Sequence, residues 1–237
     1  MASSACRDTK EITLGNRNVA YTIVRSSRRT FAISIDPLGN ITIRGPKRAS
    51  EAEIRKLIAS KERWIVKHLE RIEARPAPPT YSYTDGELHP LLGKMVPLRI
   101  VQSDINRVAS TPDHINIEYA GSYSREHGRM AMEALYKMVA GRLFPQRIEI
   151  LREKTDRYNL RPARLKIRSM KSRWGSCSTS GSVTLNSLLA AKRVELIDYV
   201  ILHELCHLRH HNHGSQFHAL LKELSPNYKE LRKELRS

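Results

Sequence analysis

Apolar residues recur along this chain with two different periods, and the switch between them marks out its segments. Between residues 11 and 44 the period is two. Val19, Tyr21 and Ile23 alternate with other positions, as do Phe31, Ile33 and Ile35, then Ile41 and Ile43. Alternation of this kind predicts strands with one buried face, and Asp36-Pro37-Leu38-Gly39-Asn40 predicts the hairpin turn between the last two. Beyond Pro46 the period lengthens. Ser50 followed by Glu53 is a capping-box pair, so a helix is predicted over 50–74. Its apolar face is Ile54, Leu57, Ile58, Ile65, Leu69 and Ile72, and Trp64 is expected to pack with it. Arg75-Pro76-Ala77-Pro78-Pro79 then predicts a stiff linker ending at about residue 80.

Short strands with turn residues follow around 81–83, 96–101 and 114–119, and are expected to form an antiparallel sheet. Ser124 opens a long helical pattern through Leu135 and Leu143, which Pro145 kinks or restarts before it runs on to Asn159. A short strand is predicted over 165–167, an irregular loop over 171–178 and a further strand over 183–186. Leu196, Ile197, Tyr199, Val200, Ile201 and Leu202 lie in a stretch free of Pro and Gly from 195 to 207, which predicts a buried helix. The expected organisation is α+β. A disordered N-terminus covers 1–10, an N-terminal antiparallel β-rich module covers 11–120, and a catalytic domain covers 121–237.

Composition narrows the function classes. The chain has 237 residues, with 41 Lys and Arg against 24 Asp and Glu, a formal net charge of +17. Such a balance attracts polyanions: nucleic acid, nucleotide phosphates or an anionic membrane surface. It is equally compatible with a basic surface that has no specific partner. Three cysteines without C-x-x-C spacing argue against a disulfide framework and for a reducing compartment. No run approaches 18 apolar residues and the first residues lack an export-type apolar core, so a cytoplasmic protein is expected.

The chemistry-bearing stretch is H-E-L-C-H over 203–207, continuing as L-R-H-H-N-H-G. Random placement of 10 His and 17 Glu in this length would give H-E-x-x-H roughly 0.03 times. Histidines four apart on a helix share a face, so His203 and His207 can reach one metal ion while Glu204 turns towards a water as general base. A catalytic zinc usually takes three protein ligands. His210, His211, His213 and His218 are candidates for the third, and His213 is favoured. It lies beyond the expected helix end, where Asn212 and Gly214 would accommodate a left-handed turn. In R-W-G-S-C-S over 173–178, Arg173 can hold an oxyanion or a substrate carboxylate or phosphate. Trp174 offers an aromatic wall to a substrate, or simply core. Tyr228 is expected to pack rather than approach the metal.

Taken together, H-E-L-C-H-L-R-H-H-N-H-G-S-Q-F, R-W-G-S-C-S, L-N at 185–186, I-D-Y-V-I-L over 197–202 and S-P-N-Y over 225–228 resemble the YgjP-like metallopeptidase family. That family is related to the SprT-like and WLM zinc proteases. R-S-S-R-R-T near Arg25 and L-L-G-K over 91–94 extend the resemblance more weakly. One position departs, since His218 stands where the family often has an aromatic residue. The resemblance implies a zincin-like core with Zn2+ held by His203, His207 and His213, Glu204 as base, and peptide or protein substrates. It also implies that Val183, Thr184 and Leu185 form an edge strand that pairs with an extended substrate. Two other readings remain: a zinc-dependent nucleotide or phosphoanhydride hydrolase, and a nucleic-acid-binding protein with a structural zinc.

Overall fold

A computed structural model describes residues 7–36, 38–74 and 80–236, which belong to two compact units, Met1–Pro79 and Thr80–Ser237. The boundary lies at the proline-rich stretch, so the second small sheet belongs with the second unit rather than with the N-terminal module. The expected linker at 75–79, the turn residue Pro37 and residues 1–6 lie outside the described residues. Where the N-terminus is described, a strand already begins at Arg7.

In the first unit, β1 (Arg7–Leu14), β2 (Arg17–Ser26), β3 (Ala32–Ile35) and β4 (Ile41–Pro46) form one sheet in the order β1-β2-β4-β3. The outer pairs are antiparallel but β2 and β4 run parallel, so the module is a mixed sheet and not the antiparallel one expected. Alternation within each strand reveals which face is buried but carries no information on strand direction. The β3–β4 turn is tied by Asp36, whose Oδ1 accepts from the N–H groups of Leu38 and Asn40, both at 2.9 Å. The predicted helix forms as two, α1 (Glu51–Ser60) and α2 (Glu62–Glu73). The capping box is present: Glu53 N–H donates to Ser50 Oγ, and Ser50 N–H donates to Glu53 Oε2. Ile54, Ile58, Ile65 and Leu69 cover Tyr21, Ile23, Ile41 and Ile43 of the sheet. Trp64 lies off that stripe, 46% exposed and stacked on His68, which corrects its expected burial. Arg25 donates to the carbonyls of Lys47 and Ala49, holding the approach to α1.

In the second unit, β5 (Leu88–Leu91), β6 (Lys94–Gln102), β7 (Arg107–Ser110) and β8 (Ile115–Tyr119) repeat the same topology, in the order β5-β6-β8-β7 with a parallel β6–β8 pair. This too departs from the antiparallel sheet expected, and residues 81–83 are not a strand. The helix α3 (Arg125–Thr155) continues through Pro145, and its Arg147 is clamped by Asp198 through bonds of 2.8 and 2.6 Å. A three-stranded sheet follows, of β9 (Arg164–Arg168), β10 (Gly175–Cys177) and β11 (Ser182–Asn186). The remaining helices are α4 (Val194–Cys206), α5 (Ser215–Leu224) and α6 (Tyr228–Glu234). Among the described residues, no helix is long and apolar enough to cross a membrane.

The β5–β6 turn fixes the start of α4. Leu92 and Gly93 both have positive φ, 49° and 82°, a combination natural to a two-residue hairpin turn. Their N–H groups donate to the carbonyls of Ala190 and Ala191, just before α4. A Cβ on Gly93 would fall 2.6 Å from Cβ of Arg193, so glycine satisfies both the backbone angle and the close approach. L-L-G-K over 91–94 is therefore the contact that sets one end of the site helix.

Candidate metal centre

Helix α4 is buried along most of its length: from Leu196 to Cys206 only Asp198 and His203 are more than slightly exposed. Its apolar run locks the helix into the core and leaves His203, Glu204 and His207 to define the polar end. The chain leaves the helix at His207, whose N–H bonds back to the Glu204 carbonyl. It then winds through tight turns at Leu208, Arg209 and His210, bonded to Leu205 and Cys206. Neither Asn212 nor Gly214 has a positive φ, so the left-handed turn expected there is absent. Gly214 is instead the extended N-cap of α5, at φ −76° and ψ −176°. By this path His213 is carried back onto the helix face.

The ligand atoms of His203, His207 and His213 all lie within 4.8 Å of one another. Nε2 of His203 and Nε2 of His213 are 3.1 Å apart. Ligand atoms on a tetrahedral ion with bonds of about 2.1 Å are separated by about 3.4 Å, so this pair is already close to shared ligation. Nδ1 of His207 lies 3.0 Å from the His210 carbonyl, and donating to it assigns that ring nitrogen the proton and leaves Nε2 as a lone-pair donor. Burial pushes the His203 pKa down to about 3, with the neighbouring histidines adding to the effect, so this imidazole is neutral at any ordinary pH. Burial likewise lowers that of His213. Phe217, fully buried on α5, packs against all three rings with centroid distances of 5.0, 4.6 and 4.7 Å. Three imidazoles on an apolar floor suit a borderline transition-metal ion.

The other histidines are placed elsewhere. His210 contributes its carbonyl, His211 is exposed, and His218 stacks on Tyr228 with centroids 6.0 Å apart. Tyr228 is 8% exposed and belongs to the core, as expected.

Glu204 is 5% exposed, and burial raises its pKa to about 7, with the Arg173 guanidinium pulling it back down. Gly175 of β10 lies against it. A Cβ there would come within 2.6 Å of Cγ and Oε1 of Glu204, so the absence of a side chain at 175 is what makes room for the carboxyl group. Gly175 and Asn186 are the positions that pattern alone does not single out. Asn186, 2% exposed at the end of β11, donates from Nδ2 to the carbonyls of Met170 and Arg173, at 2.8 and 2.9 Å. Its Oδ1 accepts from the N–H groups of Met170 and Leu188. One buried amide thus fastens the loop that presents Arg173 and Trp174. The L-N pair at 185–186 was the signal, though not its meaning.

Arg173, Trp174 and Gly175 face Tyr199, Val200, His203 and Glu204 across a cleft of about 230 Å3, completed by Arg232, Leu235 and Arg236. Trp174 is half-buried, with Lys192 Nζ 5.7 Å from its ring centroid, so it is both wall and packing. Arg232 carried no signal in the sequence.

Val183, Thr184 and Leu185 do not form an edge. Strand β11 is the centre of its sheet, antiparallel to β10 on one side and parallel to β9 on the other, and Val183 and Leu185 are fully buried. Their backbone groups are committed, so a substrate strand has no place there. The exposed edge beside α4 is β10. Asn186 N–H donates to Trp174 O and Ser178 N–H to Ser182 O, so residues 174, 176 and 178 point their backbone groups into the sheet. The backbone groups of Gly175 and Cys177 therefore point outward, and among the described residues no strand pairs with them.

The model of the YgjP-like, metallopeptidase domain matches residues 29–237 and so spans both units. Two solved structures are similar over part of the chain: the metallopeptidase zymogens abylysin of Pyrococcus abyssi and jannalysin of Methanocaldococcus jannaschii. Each is 23% identical with a TM-score of 0.34. They cover 38% and 39% of this chain, and 90% and 92% of their own. A comparison with curated proteins returned no match.

Proposed function

The chain belongs to the YgjP-like metallopeptidase family, and from that premise we propose that it is a zinc-dependent peptidase with a zincin-like catalytic unit. The observation that carries the reading is the convergence of His203, His207 and His213 beside a buried carboxyl group. The three histidines would hold the ion, and imidazole donors in that number favour zinc with one position left open. The chemistry a zinc ion supplies in such a site is Lewis acidity, which acidifies water and polarises a carbonyl.

The protein's own groups do the rest. Glu204, with its pKa near 7, is poised to take a proton from the attacking water and return it to the leaving amine. Arg173 places positive charge on the Glu204 side of the cleft, where it opposes the negative charge that develops on the substrate oxygen. The outward backbone groups of Gly175 and Cys177 offer an extended peptide two residues of strand pairing next to Glu204. This moves the substrate-pairing role from β11 to β10.

Glu204→Gln tests the reading. It keeps the shape of the side chain and all three histidines, so metal content should be unchanged while peptide turnover falls by about 10²–10⁴-fold. Turnover within a few-fold of wild type at full metal occupancy would remove Glu204 from the role of base.

A further inference from the structure

The cleft carries more positive charge than hydrolysis alone requires. Several arginines elsewhere in the second unit are matched to carboxylates: Arg147 to Asp198, Arg157 to Glu223, Arg161 to Asp156 and Arg193 to Glu234. Arg173 and Arg232 both line the cleft, and neither makes an ion pair among the described residues. They come from different elements: Arg173 precedes β10 and Arg232 lies on α6, and both border the cleft with His203 and Glu204. Among the described residues, the only carboxyl group lining the cleft is that of Glu204, which is buried and engaged as the proton carrier. A guanidinium at a cleft rim with no ion-pair partner among the described residues presents a planar fork of donors that fits a carboxylate with two parallel hydrogen bonds.

The size of the cleft bears on what the anion belongs to. At about 230 Å3 it lies below the roughly 300–1,000 Å3 usual for pockets that enclose a drug-sized ligand. It suits one amino-acid side chain or a chain end better than a base, ribose and phosphates together. Leu235 and Trp174 supply apolar wall for the methylene groups of such a residue.

We propose that the cleft selects peptides that carry a carboxylate beside the scissile bond, and that Arg232 pairs with it. This rests on the peptidase reading above. The carboxylate can come from an Asp or Glu side chain or from the peptide's own C-terminus, and the experiment separates the two. The zinc-loaded full chain is incubated with a degenerate peptide library prepared both as free acids and as C-terminal amides, and cleavage sites are read by mass spectrometry. Enrichment of Asp and Glu at a position flanking the cut, in both forms, identifies the side chain. Cleavage near the end of free acids only identifies the terminus.

Matched substrates then give the magnitude. A peptide with the carboxylate should exceed its neutral counterpart (Gln for Glu, or amide for acid) by about tenfold or more in kcat/KM, the worth of a hydrogen-bonded charge pair. Arg232→Gln should bring that ratio close to 1, and Arg232→Lys, which keeps charge without the fork, should retain part of it. A peptide with Lys in place of the acidic residue, cleaved by the wild type less well than the neutral one, supports the proposal without any variant. Cleavage by the wild type with no preference for a carboxylate overturns the proposal and leaves the peptidase reading standing. A preference that survives intact in Arg232→Gln also overturns it. No cleavage of any peptide, with Arg232-dependent hydrolysis of nucleoside triphosphates instead, overturns both.

Discussion

The close fit of Gly175 against Glu204 can be turned into a measurement. Gly175→Ala adds a single Cβ, which would fall 2.6 Å from both Cγ and Oε1 of Glu204 and 2.7 Å from Cδ. Non-bonded carbon atoms settle at about 3.5–4.0 Å, so the carboxyl group must withdraw by about 1 Å. The backbone accepts the substitution, since residue 175 lies in a strand with φ outside the left-handed region, and all three nearest atoms belong to Glu204. Removing a strand glycine favours folding by roughly 0.5–1 kcal/mol, so the folded population should not fall far. Displacing a reacting group by about 1 Å costs on the order of 10²-fold in rate, or about 2.7 kcal/mol in the barrier. Metal affinity should stay at the wild-type level, because Glu204 is not among the converging histidine ligands. The assay is kcat on a quenched fluorescent peptide, with metal content by mass spectrometry and the unfolding midpoint measured on the same samples. A variant that keeps kcat within about threefold of wild type, or that loses metal in step with activity, would refute the assignment of Gly175 as the residue that positions Glu204.

Three other outcomes are expected. His213→Ala should lose most bound metal while His211→Ala keeps it, measured as metal per chain after dialysis; equal retention would put the third ligand elsewhere. In metal-free protein, Glu204 has a folded pKa of about 7 against an ordinary 4.5, so its neutral form stabilises the fold fully below pH 4.5 and that contribution is lost as the pH rises to 7. Glu204→Gln is permanently neutral and should gain on wild type by up to about 3 kcal/mol between pH 4.5 and 8 in urea unfolding; an equal difference at both pH values would contradict the burial argument. Asn186→Ala removes a buried amide that satisfies four backbone groups, and should cost about 2–4 kcal/mol in urea unfolding and loosen the loop at 170–174 to hydrogen exchange. Unchanged exchange there would mean that the loop is held by other contacts.

Much of this protein was local enough to be legible in its sequence. Histidines four apart on one buried helix must share a face, and a third ten residues on from the first, past the helix end, has enough chain to return. Spacing thus favoured His213 over His210, His211 and His218 without deciding among them, and the path that brings it to His203 and His207 differs from the one expected, with Gly214 as a helix cap instead of a left-handed turn. The capping box at Ser50 and Glu53 and the period-two strands are local in the same sense. What the tertiary structure decided was everything that depends on which segment lies beside which. Alternation gives the buried face of a strand but neither its direction nor its neighbours, so both four-stranded sheets carry an unforeseen parallel pair, and Val183, Thr184 and Leu185 sit at the centre of their sheet rather than at its edge. Gly175 against Glu204, Gly93 against Arg193, and Arg232 at the rim of the cleft join residues 29 to 100 positions apart or on separate helices. Close approaches of that kind are set by packing, and packing is a property of the assembled core that no single stretch of sequence contains.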